Sequence, residues 1–198
     1  MTLFPVGVLD PPPVLTGQRI YLRLPVAADY PAWADERTDS AAFLQPWEPT
    51  WPADDLTRAA FKRRVKRCLR ELRERKGHAF FLFRRDDDAL LGGITLSNVR
   101  YGVSQCASMG YWMARRHAGQ GYMSEAVRLV LGYAYDDLQL HRVEAASRPE
   151  NTRSIHLLEK AGFVREGYAR SYLLIDGKWQ DHVLFARLKD SEGADVIA

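Results

Sequence analysis

Six residues carry the most specific chemistry in this chain. Arg116-His117-Ala118-Gly119-Gln120-Gly121 has the form Arg-x-x-Gly-x-Gly, and an apolar-periodic segment follows directly from Tyr122. Glycines let a backbone pass close to a ligand and take positive φ without a Cβ clash. A helix beginning just after them aims unpaired N–H groups and a partial positive charge into the loop. Together these are the makings of a pyrophosphate cradle. The same six residues also serve as a plain helix-entry turn, and spacing alone does not separate the two readings.

The elements that must position this loop follow from periodicity. Arg19 to Leu24 alternates and reads as a first strand, and Asp29 is placed to cap a helix carrying Trp33. The segment Pro46-Trp47-Glu48-Pro49-Thr50-Trp51-Pro52 is too rich in proline to be helical. A helix is expected from Asp54 or Asp55 to about Lys76, with Phe61, Val65, Leu69 and Leu72 as its buried stripe. Its other faces hold Arg58, Lys62, Arg63, Arg64, Lys66, Arg67, Arg70, Arg73, Arg75 and Lys76. This basic stretch, residues 58–76, is either a solvated face or an electrostatic footprint for RNA or a ribosomal partner.

Strands follow at Ala79–Arg84 and Leu90–Val99 around an Asp86-Asp87-Asp88 turn, then Ser104–Met113. The central helix runs from Tyr122 to about Asp136, and Arg142–Ala146 is a short strand. Asn151 is set to cap a helix from Thr152 to Lys160, with Ser154 in its first turn and Gly162 just past its end. Phe163–Leu174 and Trp179–Leu188 close the fold through an Asp176-Gly177 hairpin turn. Antiparallel strands, then strand–helix–strand–helix, then a hairpin, make a mixed α+β sheet. The organisation expected is an N-terminal arm 1–14, a single domain 15–188 and a polar tail 189–198.

Composition narrows the function classes. A chain of 198 residues with five tryptophans suits one globular domain. No apolar run approaches the roughly 20 residues needed to span a bilayer, so no membrane role is expected. Met1 to Leu9 lacks the basic start of a secretory signal. Cys68 and Cys106 read as reduced thiols of a cytoplasmic protein. His117, His141, His156 and His182 make no metal-ligand spacing with them, and no metal is expected. A net charge of +3 says nothing about nucleic acid, and oligomeric state is open.

The Arg116–Gly121 loop resembles the acetyl-CoA loop of the GNAT superfamily of N-acetyltransferases. Three more stretches resemble the branch that acetylates N-terminal amines of ribosomal proteins, the alanine-directed RimJ type in particular. They are Phe43-Leu44-Gln45-Pro46-Trp47-Glu48-Pro49, Arg148-Pro149-Glu150-Asn151 running into Glu159-Lys160-Ala161-Gly162-Phe163, and Tyr172 to His182 with its Trp-x-Asp-His ending. The resemblance implies the GNAT acyl-CoA N-acyltransferase fold, a mostly antiparallel mixed sheet with a splayed central strand pair and flanking helices. It implies acetyl-CoA as cosubstrate, held by Arg116, His117, Ala118, Gly119, Gln120 and Gly121, by backbone groups of Tyr111, Trp112 and Met113, and by Asn151. It implies transfer by direct attack of an amine on the thioester.

Catalytic groups remain open at this stage. The resemblance makes Ser154 a proton donor to the departing thiolate, while its other reading is a helix-start residue. Many relatives carry a tyrosine acid seven residues after the asparagine, where this chain has Leu158. Others carry a strand glutamate five residues before it, where this chain has Ala146; Glu144 is two residues off. An N-terminal α-amine, with pKa about 8 against about 10.4 for lysine, asks less of a base. Glu48 is the first candidate for base or counter-charge, its alternative being a salt bridge or loop cap. The resemblance places the Glu48 loop and the Tyr172–Lys178 hairpin on opposite sides of an acceptor groove. The acceptor expected is a protein N-terminus, such as a ribosomal alanine. Two rivals stand beside it: a small amine (antibiotic, polyamine or amino acid), and a ribosome- or RNA-associated protein of the same fold with little activity.

Overall fold

The computed structural model describes residues 12–189. The arm 1–14, apart from its last three residues, and the tail 189–198, apart from Lys189, lie outside the described residues. Thirteen elements set the architecture: β1 (Leu15–Thr16), β2 (Ile20–Arg23), α1 (Tyr30–Asp39), α2 (Ala41–Leu44), α3 (Arg58–Arg73), β3 (His78–Arg84), β4 (Leu90–Arg100), β5 (Cys106–Met113), α4 (Tyr122–Gly132), β6 (Arg142–Ser147), α5 (Thr152–Lys160), β7 (Val164–Ile175) and β8 (Lys178–Leu188). The strands form one open eight-stranded sheet in the order β1-β2-β3-β4-β5-β6-β8-β7. Every pairing is antiparallel except β5 with β6, which is parallel.

Both faces of the sheet centre are buried, and the period of two sorts the side chains. Phe80 and Leu82 of β3 join α4 and α5 in the larger core, while Phe81 and Phe83 join Trp33 and Phe61 in a second core beneath α1 and α3. The stripe on α3 consists of Phe61, Val65, Cys68 and Leu72, with Leu69 partly buried. On its solvent side Lys62, Lys66, Arg70 and Arg73 are exposed and make no ion pair among the described residues. At spacings of four, four and three residues they form one basic stripe.

Several local expectations need correction. Asp29 precedes α1 but does not cap it: its carboxylate takes a bidentate bond from Arg23 at 2.8 and 2.6 Å and another from the Val26 N–H. An ion-paired carboxylate outcompetes a neutral cap. Helix α3 begins later than expected, because Thr57 accepts a hydrogen bond from the Ala60 N–H at 3.2 Å. Asp54 and Asp55 instead bind Arg63 and Arg64 from the preceding turn. The proline-rich loop opens with a short helical turn at Gln45–Trp47, where Pro46 sits in the first turn and costs no hydrogen bond. The central helix changes to a π-helical turn at Tyr133–Asp137. The α5 boundaries and the Asp176-Gly177 turn, with both residues at positive φ, are found where the sequence places them.

The π-helical turn carries a buried histidine contact. Tyr133 puts its hydroxyl 3.1 Å from His78 Nδ1, while His78 Nε2 is buried without a partner among the described residues. Burial, and then the Arg75 charge, push the His78 pKa down to about 4. The unfolded chain takes up this proton near pH 6.5 and the folded chain does not, so stability falls as pH drops from about 6.5 to about 4. The full loss is on the order of 3 kcal/mol. Urea denaturation at pH 7 and pH 4.5 should show it, and His78→Gln should flatten the difference.

Candidate active site

The Arg-x-x-Gly-x-Gly loop leaves the end of β5 as a short helical turn, Arg115–His117, and enters α4 at Gly121. Gly119 and Gly121 both have positive φ, at 78° and 82°. Gly121 occupies the N-cap position and brings no side chain to it, so no side chain caps the first turn of α4. Uncapped N–H groups behind a glycine loop are an anion cradle. Three long-range contacts fix the loop. Arg116 donates from Nε to Glu36 at 2.9 Å and again from Nη2, although Glu36 is only 3 % exposed. The Arg115 N–H donates to Ser40 Oγ at 2.9 Å. Arg19 donates to Glu125 in the first turn of α4 and to the Gln120 carbonyl. Burial opposes ionisation of Glu125, but the Arg19 bonds hold its carboxyl below the usual range. His117 is buried beside Glu36, and burial pushes its pKa down.

Beside the loop the sheet opens. Parallel pairing of β5 with β6 covers only Cys106–Ser108 against Arg142–Glu144, whereas β5 stays paired with β4 as far as Met113. From Met109 to Met113, alternate backbone groups of β5 therefore face a gap with no β6 partner. Tyr111, Trp112 and Met113 lie on this free edge. Across the gap stands the start of α5. Asn151 Oδ1 accepts from the Ser154 N–H at 3.2 Å, which leaves the amide nitrogen without a partner among the described residues. Ser154 Oγ lies 2.8 Å from the Tyr111 hydroxyl. Burial pushes Tyr111 up to about 12, with the Ser154 bond acting the other way, so the phenol keeps its proton at neutral pH.

On the opposite side of β5 is a groove of about 420 Å³. Tyr111 and Trp112 line it with Trp51, Phe81 and residues of α3. Gly93 of β4 makes room for the Trp112 indole, since a Cβ there would lie 2.4 Å from Nε1. Glu48 also lines the groove, with its carboxylate fully engaged. Arg37 gives it two bonds, at 2.7 and 2.6 Å, and the Trp51 indole N–H gives a third at 2.7 Å. Arg37 is 5 % exposed and lies over the Trp51 ring at 4.0 Å. The other two carboxylates of the lining are paired as well, Asp55 with Arg64 at 3.0 Å and Glu71 with Arg67 at 3.9 Å.

The structure corrects the expected walls of this groove. The Asp176 N–H donates to the Glu48 carbonyl at 2.9 Å, which joins the β7–β8 hairpin to the Glu48 loop on the same side. The facing wall is α3, through Arg64, Arg67, Cys68 and Glu71. Arg148, at the end of β6, ties the loop down by donating to the Pro46 carbonyl at 2.8 Å. Sequence reading missed Arg19, Glu36, Arg37, Ser40 and Arg148. A usable signal existed for two of them: Arg37 falls four residues after buried Trp33, and Glu36 four before Ser40, so α1 carries charge on its buried side. Among the described residues no group of three or more His, Cys, Asp or Glu is placed to hold a metal. No helix among them is long and apolar enough to cross a membrane.

Comparison with known proteins shows the family and the fold. Residues 19–164 match the acetyltransferase (GNAT) domain. The probable N-acetyltransferase YjcK of Bacillus subtilis is 34% identical over 90% of this chain and 99% of its own length. The [ribosomal protein uS5]-alanine N-acetyltransferase of Escherichia coli is 36% identical over 87% of this chain and 89% of its own. Mycobacterium smegmatis RimJ in complex with CoA-disulfide superposes with a TM-score of 0.86 at 31% identity, covering 90% of this chain and 88% of that one. Acetyl-CoA is thus the cosubstrate, and an uncapped α4 beside a free strand edge fits its pyrophosphate and its amide-bearing arm. Gly121→Glu should abolish CoA binding in calorimetry while the circular dichroism spectrum stays folded, because it adds bulk and negative charge at the cradle.

Proposed function

We propose that this chain, which belongs to the acetyltransferase (GNAT) family, acetylates the N-terminal α-amine of a protein in the cytoplasm, with a ribosomal protein bearing N-terminal alanine as the acceptor that its relatives suggest. The observation that carries this reading is the charge balance of the groove. Each of its three carboxylates faces an arginine of the same lining. A polyamine calls for uncompensated acids. A peptide terminus brings one amine and an otherwise neutral backbone, which suits an aromatic, charge-paired groove.

The reaction needs little from the protein in proton transfer. The neutral amine attacks the thioester carbon, a C–N bond forms, the C–S bond breaks, the amine gives up a proton and the thiolate gains one. Asn151 and the free edge at Tyr111, Trp112 and Met113 hold the coenzyme arm, and a backbone N–H of that edge stabilises the thioester oxygen. Ser154 protonates the thiolate and is reprotonated from solvent, which also takes up the proton that the amine releases, while the Tyr111 hydroxyl holds the serine in place. Glu48, which accepts three N–H bonds from Arg37 and Trp51, acts as a fixed part of the groove wall and offers the amine neither a base nor a free charge. The basic stripe of α3 steers the enzyme toward an RNA-rich particle, an attraction that salt weakens.

Two measurements test this. A peptide with a free N-terminal Ala and no lysine should be acetylated faster than an N-blocked peptide with an internal lysine, and faster than spermidine, by mass spectrometry of the products. Acetylation confined to the small amine would overturn the reading. Ser154→Ala should lower kcat by about 10²- to 10⁴-fold with CoA affinity nearly unchanged. A rate within about twofold of the parent protein would make Ser154 a helix-start residue only.

A further inference from the structure

A second cavity, of about 520 Å³, lies beside the glycine loop and is lined by Ala42, Phe43, Arg115, Ala118 and Arg153. Its chemistry differs from that of the acceptor groove. No carboxylate lines it. Both arginines are exposed, and neither guanidinium has a hydrogen-bonded or ion-paired partner among the described residues. The cations around them are all engaged: Arg116 with Glu36, Arg19 with Glu125, and Arg148 with Glu150 and the Pro46 carbonyl. Two uncompensated guanidinia lining one cavity give it a net positive charge that favours an anion.

Their mounts are fixed. The Arg115 backbone N–H is bonded to Ser40 Oγ, and Arg153 stands in the first turn of α5 beside Asn151. Ala118 belongs to the Arg-x-x-Gly-x-Gly loop itself, so the cavity adjoins the cradle that takes the pyrophosphate. Phe43 supplies an apolar surface next to the two charges.

We propose that Arg115 and Arg153 form a clamp for a phosphate monoester, the 3′-phosphate of the coenzyme, and so set the preference of this enzyme for CoA over its 3′-dephospho form. A phosphate monoester carries about −1.5 to −2 charges at pH 7 and three acceptor oxygens, which matches two planar guanidinium donors. The inference rests on acetyl-CoA as cosubstrate and is independent of which amine is acetylated.

Calorimetry on the full chain with CoA and with 3′-dephospho-CoA tests it. The parent protein should bind CoA at least about tenfold more tightly, a preference that shrinks as salt rises. Arg115→Gln and Arg153→Gln should each remove most of that preference and leave 3′-dephospho-CoA affinity within about twofold. Both side chains are exposed, and near-UV circular dichroism will establish that the variants fold. Equal affinity of the parent protein for the two compounds would overturn the clamp. So would an equal loss for both compounds in the variants, which would assign the arginines to the pyrophosphate. Failure of the parent protein to bind either compound would sink the cosubstrate assignment along with the clamp.

Discussion

The constraint on which this molecule depends is the early parting of β5 and β6. Two parallel strands joined by a helix normally stay paired, because an unpaired backbone N–H or C=O inside a sheet is costly. Here the ladder stops after Ser108 and Glu144 while β5 continues, bonded only to β4. The topology decides what lies at that opening. Since β5 is parallel to β6, its connection must cross over through α4, and the N-terminus of α4 therefore starts at the carboxyl end of β5. That is the end at which the strands separate. The free strand edge and the uncapped helix N-terminus thus share one place for a topological reason. A ligand with an anionic diphosphate and an amide-bearing arm satisfies both.

The rest of the N-terminal half serves to hold that place rigid. A glycine loop with two residues at positive φ has little conformational memory of its own. Its shape is imposed by α1 and β2 through Arg116 on Glu36, Arg115 on Ser40 and Arg19 on Glu125. Two of these contacts place a carboxylate in a buried setting, where an unpaired charge would be expensive, so each arginine is bound to its position by what its partner would otherwise cost. The loop arginine consequently has a structural task at Glu36, and the backbone of the loop is left to meet the ligand.

Local chemistry was legible in the sequence and long-range charge pairing was not. Asn151 capping α5, Gly162 ending it and Asp176-Gly177 turning the last hairpin each follow from the steric and hydrogen-bonding habits of a few adjacent residues, and each is found as read. The succession of strands and helices along the chain and the loop motif were equally visible. Glu48 was visible as a carboxylate among aromatics, but its surroundings were not, because Arg37 reaches it from another element. Asp29 and the start of α3 went astray for a related reason. In each case a side chain that looked like a local cap was claimed by an arginine elsewhere, and a neutral hydroxyl at Thr57 took the capping role.

Tyr111 joins the two halves of the site. Its position on β5 places it in the lining of the groove, while its hydroxyl reaches Ser154 across the gap beside β5. Any acceptor that enters the groove therefore packs against the residue that orients the serine. A buried phenol that keeps its proton at neutral pH transmits position and hydrogen bonding rather than charge. The charged groups of the groove are already neutralised in pairs, so the acceptor meets no unbalanced field there. Under the proposed reading, selection of the acceptor falls to shape, set by Trp51, Trp112 and the wall of α3, and to the fraction of its amine that is neutral. An α-amine reaches that state about two pH units below a lysine, so under the proposed reading a charge-paired groove favours chain termini without a dedicated base.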